Sequence, residues 1–292
     1  MVKHENKKIL ITGANSYIGT SFEKWIARYN LSRRYSQYHI DTVETKNYEW
    51  KETSFAGYDT VFHVAGIVHI NETKENKTLF FSVNRDLTVE LAQKAKKDGV
   101  KQFIFLSTMN VYGINSGVIT QKTSPSPRTS YGISKLQAEE KIQLLKDDNF
   151  NIAIIRPPMV YGKNCKGNYS RLAALSLMLP LFPEVDNQRS MIYIDNLSEF
   201  VRVLIDDCSS GVFLPQNEEY VNTSKLVMLI ASANGKKIRK TKLFNPILRL
   251  LCKKIDIINK VFGDLVYDQN VSRYKKNYCV SGLEESVRLT EA

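Results

Sequence analysis

The stretch from Lys8 to Gly19 constrains the fold of this chain more than any other. Lys8-Ile9-Leu10-Ile11-Thr12 is a short apolar run, as expected of a strand buried on both faces of a parallel sheet. A G-x-x-x-x-x-G turn from Gly13 to Gly19 follows, and then a helical stretch from Thr20 to about Tyr29. Strand, glycine turn and helix in that order place free helix N–H groups where a dinucleotide pyrophosphate can sit. Gly13 permits the tight turn and Gly19 the close approach of helix to strand, with Asn15, Ser16, Tyr17 and Ile18 completing the loop. Ser16 stands where a middle glycine would bring backbone up to the phosphates, and its hydroxyl offers a donor there instead. An ordinary strand–helix turn is the alternative reading.

The pattern repeats. A second strand is expected at Tyr38–Val43, with Asp41 inside it and Glu44 and Lys46 near its end. An acidic residue there suits the adenosine ribose of NAD and a basic one the 2′-phosphate of NADP, so the choice stays open. Thr60 to Gly66 reads as a buried strand ending in small residues, with His63 a core histidine. A helix from Val83-Asn84 to about Lys97 is followed by a strand, Val100 to Leu106, ending at Ser107-Thr108. Hydroxyls at the carboxyl end of a parallel strand face the ligand crevice of such sheets. The strand from Ile152 to Arg156 must stop at Pro157-Pro158. Strands alternating with helices give an α/β fold, a Rossmann-type doubly wound parallel sheet. After Tyr161-Gly162 the pattern changes to a polar loop to Asn168, a helix to about Leu179, the segment Asn187–Asp195, a helix from Leu197 to Asp206 and an irregular lysine-rich tail. We therefore expect a sheet domain over residues 1–162 and a smaller substrate-binding lobe, interleaved with it, over 163–292.

Between the strands that end at Leu106 and begin at Ile152 lies Ser130-Tyr131-Gly132-Ile133-Ser134-Lys135, opening a run of helix formers to about Lys146. Tyr131 and Lys135 fall one turn apart on a face that continues through Ala138, Ile142 and Leu145. An ammonium buried beside a phenol favours the phenolate and draws the tyrosine pKa toward neutrality, where it can give or take a proton. The alternative is a surface helix with a chance Y-x-x-x-K.

The net charge of +11 is carried by lysines and arginines mixed with acids, with no block of five or six like charges. No basic stripe with interleaved aromatics marks a nucleic-acid surface, and an anionic small molecule such as a nucleotide sugar fits better. Cys165, Cys208, Cys252 and Cys279 are widely spaced and read as reduced thiols of a cytoplasmic protein, and the histidines have no metal-ligand spacing, so no metal is expected. Met1 to Glu5 leads straight into a strand, from which no secretory leader is expected. No segment has the roughly 18 apolar residues of a spanning helix. Phe244 to Tyr267 is the nearest, interrupted by charges, and reads either as a packing face of the second lobe or as an amphipathic helix lying on a membrane surface.

In this order of elements TGANSYIG (12–19), VFHVAG (61–66), VN (83–84), FLSTMNVYG (105–113), YGISK (131–135), RPPMVYG (156–162) and RSMIYIDNL (189–197) together resemble the extended short-chain dehydrogenase/reductases, the nucleotide-sugar epimerase and dehydratase branch. The likeness runs to about Leu197. With the K-G-N-Y loop, it is most similar to the bacterial capsule-pathway reductases that turn a UDP-4-keto-6-deoxy-N-acetylhexosamine into UDP-N-acetyl-D-fucosamine. The resemblance implies NAD(P) held by Gly13, Asn15, Ser16, Tyr17, Ile18, Gly19, Ala65, Gly66, Asn84, Lys135 and Pro158. It implies Tyr131 as acid/base at the sugar C4 oxygen, Lys135 on the nicotinamide ribose, and Thr108 hydrogen-bonded to the same C4 oxygen. Asn110, Asn168 and Arg189 would contact the UDP-sugar, Arg189 by bidentate recognition of oxyanions. Departures from the family pattern are Ser16, Met159 in place of an asparagine, and a short span before VFHVAG. The implied activity is NAD(P)H-dependent C4 reduction. A UDP-hexose or UDP-N-acetylhexosamine 4-epimerase with bound NAD uses the same residues, and a non-catalytic nucleotide-binding protein is the third reading. A 4,6-dehydratase would need an acidic pair where Met109 and Asn110 stand. Ile133, Leu136 and Leu144 give the Tyr131 helix a second apolar side, and with family habit this leads us to expect a homodimer.

Overall fold

A computed structural model describes residues 6–32, 37–68, 70, 72–243, 245–254 and 256–292. Met1 to Glu5, on which the leader expectation rests, lie outside them, as do Phe244 and Ile255 of the amphipathic candidate. The elements in order are β1 (Lys7–Thr12), α1 (Tyr17–Leu31), β2 (Tyr38–Val43), β3 (Thr60–His63), α2 (Lys77–Phe81), α3 (Leu87–Lys97), β4 (Gln102–Leu106), β5 (Gly117–Ile119), α4 (Ser130–Gln143), β6 (Asn151–Ile155) and β7 (Met159–Tyr161). Then come α5 (Asn168–Met178), β8 (Leu181–Pro183), β9 (Met191–Tyr193), α6 (Ile194–Asp206), β10 (Gly211–Phe213), α7 (Thr223–Ala233), β11 (Arg239–Thr241), α8 (Asn245–Lys254), α9 (Asp256–Phe262), β12 (Leu265–Tyr267) and α10 (Leu283–Glu291).

Six strands form one sheet in the order β10-β6-β4-β3-β1-β2, every pairing parallel. This is the expected Rossmann-like α/β fold. Alternate residues go to opposite faces. Leu10, Val61, Phe103, Phe105, Ile152 and Ile154 pack with Leu91 and Ala95 of α3 and with Ala138 and Ile142 of α4. On the other face Phe62 meets Phe22 of α1 edge to face, and Phe213 meets Phe200 of α6. A sheet covered on both sides needs apolar residues at successive positions, which is why these strands read as unbroken apolar runs.

The chain divides into two compact units that do not follow one boundary. The first comprises Met1–Gly113, Pro125–Arg156 and Ser198–Phe213; the second comprises Ile114–Ser124, Pro157–Leu197 and Leu214–Ala292. The sheet unit releases the chain at Arg156, before rather than after Gly162, and takes it back at Ser198 to build the rest of α6 and the edge strand β10. Within the second unit β7 pairs with β9, β8 with β11 and β5 with β12.

Two local expectations change. The helix expected to begin at Val83 starts earlier, at Lys77, and passes through a π-helical turn, Ser82–Asp86, before α3. The described residues of the tail form regular elements, among them α7 to α10. The described residues of the stretch 244–267 include α8, α9 and β12, and among the described residues no helix is long and apolar enough to cross a membrane.

Candidate active site

The glycine turn comes first. Gly13 has φ +111°, and a Cβ there would lie 2.7 Å from the Ala65 nitrogen, so only glycine fits between β1 and the end of β3. At Gly19 a Cβ would meet Ser16 Oγ at 2.6 Å and Val64 at 3.2 Å, which is the close helix–strand approach expected of it. Ser16 caps α1, its Oγ accepting the Gly19 N–H at 3.1 Å, and Asn15 takes a left-handed φ of 61°. The hydroxyl read as a phosphate donor thus also satisfies one of the helix's orphan amides. Asp41 binds Tyr58 and His39, whereas Glu44 directly follows β2, whose Val43 carbonyl accepts the Gly13 N–H at 3.0 Å.

Behind the turn, the loop after β3 is bracketed by Asn84, in the π-helical turn. Its Oδ1 accepts the Ile67 N–H at 2.8 Å and its Nδ2 donates to the Ile67 carbonyl at 3.1 Å. A Cβ on Gly66 would stand 3.0 Å from Asn84 Oδ1 and 3.3 Å from Lys135 Nζ, so Ala65-Gly66, Asn84 and Lys135 share one place. His63 is a core histidine, its ring between the Thr12 and Thr88 hydroxyls at 2.7 and 2.9 Å, and burial holds its pKa down at about 3.

Helix α4 is pinned along its length. Thr129 caps it by accepting the Gly132 N–H, and Glu72 accepts from the Ser130 N–H and hydroxyl at 2.9 and 2.7 Å. A Cβ on Gly132 would lie 2.9 Å from the Asn110 carbonyl, so this glycine lets α4 pack onto the turn 109–112 that Thr108 caps. Thr108 therefore comes up to Tyr131, its hydroxyl near enough to favour the ionised phenol. Lys135 is 3% exposed; its Nζ donates to the Leu106 carbonyl at 2.9 Å and lies 4.6 Å from the centre of the Phe105 ring. One turn on, Glu139 accepts from Ser107 and from Arg156 Nη2 at 2.5 Å, while Arg156 Nη1 donates to the Tyr112 hydroxyl at 2.9 Å. Glu139 and the partnership of Arg156 with it escaped the sequence reading, and Ser107, expected to face the crevice, spends its hydroxyl on Glu139; a carboxylate one turn past Lys135 on the same face was the available signal.

The electrostatics depart from the expectation. Burial pushes the Tyr131 phenol up to about 12, opposed by the Thr108 hydroxyl, and pushes Lys135 down to about 7, opposed by Glu139. Lys135 turns to a carbonyl and an aromatic face, and Thr108, not Lys135, is the group that lowers the tyrosine. Tyr131 carries its proton at neutral pH, and Lys135 titrates there.

Pro158, Asn168 and Arg189 belong to the second unit. Asn168 opens α5 after Gly167, and Arg189 donates from Nη1 to the Gly263 carbonyl at 2.9 Å. Both line one pocket with Met159, Leu172, Met191 and Lys260. Arg189 Nε is buried with no hydrogen-bond partner among the described residues, so the side chain is held by a carbonyl and keeps donor capacity beside that pocket. Asn110 is exposed at the turn after Thr108. Among the described residues no cluster of His, Cys, Asp and Glu forms a metal site, and Cys165, Cys208 and Cys279 are free.

A family profile described as "NAD dependent epimerase/dehydratase family" matches residues 9–215. A UDP-glucose 4-epimerase of Vibrio cholerae is 29% identical, the alignment covering 90% of this chain and 87% of that protein. The N-acetyl-alpha-D-glucosaminyl-diphospho-ditrans,octacis-undecaprenol 4-epimerase of Escherichia coli O157:H7 is 27% identical over 88% of this chain and 82% of its own. Among solved structures, a dTDP-4-dehydrorhamnose reductase of Clostridium acetobutylicum superposes with a TM-score of 0.72 at 18% identity, covering 96% of this chain and 97% of that one, a likeness of fold.

Proposed function

Because the chain belongs to the NAD dependent epimerase/dehydratase family, we propose that it is an enzyme that oxidises and reduces C4 of a sugar carried on a diphosphate, most simply a UDP-sugar 4-epimerase. The observation that carries the reading is the Thr108–Tyr131–Lys135 cluster: a phenol next to a hydroxyl at the end of β4, one helical turn before a lysine that is 3% exposed. The two relatives described above are named 4-epimerases, which supports the epimerase reading, while relatives named as reductases also match over more than half of their length and support the reductase expected from the motifs.

The turn fits a dinucleotide. A side chain at Gly13 would fill the cradle against Ala65, and the α1 N-terminus opens there. Gly13, Asn15, Ser16, Tyr17, Ile18 and Gly19 would hold the pyrophosphate, Ala65, Gly66 and Asn84 the far wall, Lys135 the ribose hydroxyls, and Pro158 would complete the contacts. Glu44, next to the turn, favours the free 2′-hydroxyl of NAD over the phosphate of NADP. NAD(P) supplies the hydride acceptor and donor. Tyr131 moves the proton at the C4 oxygen, Thr108 hydrogen-bonds that oxygen, and Asn110, Asn168 and Arg189 hold the UDP-sugar.

The reductase reading keeps one structural support: the phenol, held up at about 12, is the proton donor that ketone reduction needs. One assay separates them. The protein is given UDP-glucose or UDP-N-acetylglucosamine with no reduced cofactor, and in parallel a UDP-4-keto-6-deoxy-N-acetylhexosamine with NADH or NADPH. C4-epimer formation without net redox change supports the epimerase. Stoichiometric loss of reduced cofactor in the second arm, with none of the first reaction, establishes the reductase.

A further inference from the structure

A corner of the second unit combines exposed apolar side chains with cations in a way the sugar chemistry does not use. At the end of α5 the five consecutive residues Leu177, Met178, Leu179, Pro180 and Leu181 are all exposed, Met178 at 76%. β8, which begins at Leu181, pairs with β11, and Arg239 lies directly beside Leu181. Lys236, just before β11, donates to the Leu177 carbonyl at the end of α5. Just past β11, Leu243 is 80% exposed, and Leu250 of α8 is 57% exposed. Five of the seven residues from Lys236 to Lys242 are lysine or arginine, and no Asp or Glu occurs from there until Asp256. Lys240 reaches Glu184 at 2.8 Å.

Leucine and methionine held out to solvent beside a cationic strand match one kind of surface: the headgroup boundary of an anionic bilayer. Its acyl region takes the apolar side chains and its phosphates the lysines and arginines. A second copy seated here by a two-fold axis would set the same cations against each other. A nucleic acid would engage the cations but leave Met178, Leu181 and Leu243 uncovered, and the aromatic ring on β8, Phe182, is buried rather than offered for stacking. We propose that the corner formed by the end of α5, β8, β11 and the start of α8 docks the protein on an anionic membrane surface. This contact lies outside the C4 chemistry and holds whichever sugar the enzyme takes.

Flotation of the full chain with vesicles of phosphatidylglycerol and phosphatidylethanolamine, against vesicles of phosphatidylcholine alone, tests it. The protein should float with the anionic vesicles, at least about tenfold less with the neutral ones, and less at raised salt. The double variants Met178→Gln/Leu243→Gln and Lys237→Gln/Lys242→Gln should each lower the partition about tenfold while leaving Tm and turnover of a soluble UDP-sugar unchanged. No flotation of the wild type, or wild-type partition of both variants, overturns the proposal. So does duplex DNA binding that Met178→Gln/Leu243→Gln retains in full while vesicle binding is absent, or a dimer that the same variant dissolves without any effect of vesicles.

Discussion

At the scale of single residues, burial sets the chemistry of the site more than pairing does. Removing a phenol and an ammonium from water disfavours the charged form of each, so Tyr131 is held up at about 12 and Lys135 down at about 7. Each has one opposing contact, Thr108 for the tyrosine and Glu139 for the lysine. The lysine shift has a consequence for stability. In the unfolded chain Lys135 titrates at about 10.4. Between that pH and about 7 the unfolded state holds a proton that the folded state lacks, so this group makes stability rise with pH across the window, and its penalty is full below it. The change Lys135→Met removes the penalty. The Tm of the variant minus that of the wild type should be largest below pH 7 and shrink toward pH 10; a difference independent of pH would show that Lys135 is not held neutral by burial.

At the scale of elements, α4 is the part on which the site depends, and its far end is fixed by an ion pair. Glu139 and Arg156 have side chains only 3% and 10% exposed. Removing one partner of a buried pair leaves an uncompensated charge, typically a loss of about 3–5 kcal/mol, whereas replacing both with apolar groups costs far less. Arg156→Met should therefore destabilise by about 3 kcal/mol or more in urea unfolding, and Glu139→Met/Arg156→Met by much less than the two single changes combined. A loss below about 1 kcal/mol for Arg156→Met would mean that the pair does not anchor the helix. Much of this element was legible in the chain, because Tyr131, Lys135, Ala138 and Ile142 carry a helical period. Glu139 was not, because a charge on a buried face is explained only by its partner, and Arg156 lies just past the end of β6, where no local pattern shows that it returns to α4. The sheet was legible for the same reason as α4: β1, β3, β4 and β6 are apolar at successive positions. Strands of three residues such as β7, β9 and β12, and the helices of the lysine-rich tail, have too little local signal. The π-helical turn around Asn84 departs from the 3.6-residue period altogether.

At the scale of the whole molecule, the two units interleave along the chain, and order of sequence alone does not reveal that Ser198–Phe213 returns to the sheet. The outer side of α4 carries the expected dimer face, with Ile133 and Leu136 partly covered and Leu144, just beyond the helix, 85% exposed; Leu79 of α2 is 45% exposed. Two copies joined there predict a dimeric mass by light scattering at micromolar concentration, reduced to that of one chain by Leu136→Asp/Leu144→Asp. A wild type of single-chain mass contradicts it.

The central claim is that Tyr131 moves the proton at C4 of a diphosphate-linked sugar. The most direct measurement compares wild type and Tyr131→Phe in C4 turnover of UDP-glucose, UDP-N-acetylglucosamine and a UDP-4-keto-6-deoxy-N-acetylhexosamine, with NAD(P) affinity measured alongside. Turnover of at least one substrate by the wild type, falling about 100- to 10,000-fold in the variant at unchanged cofactor affinity, is the result the account predicts. Undiminished turnover by Tyr131→Phe, or no C4 chemistry by the wild type on any of the three, would contradict it.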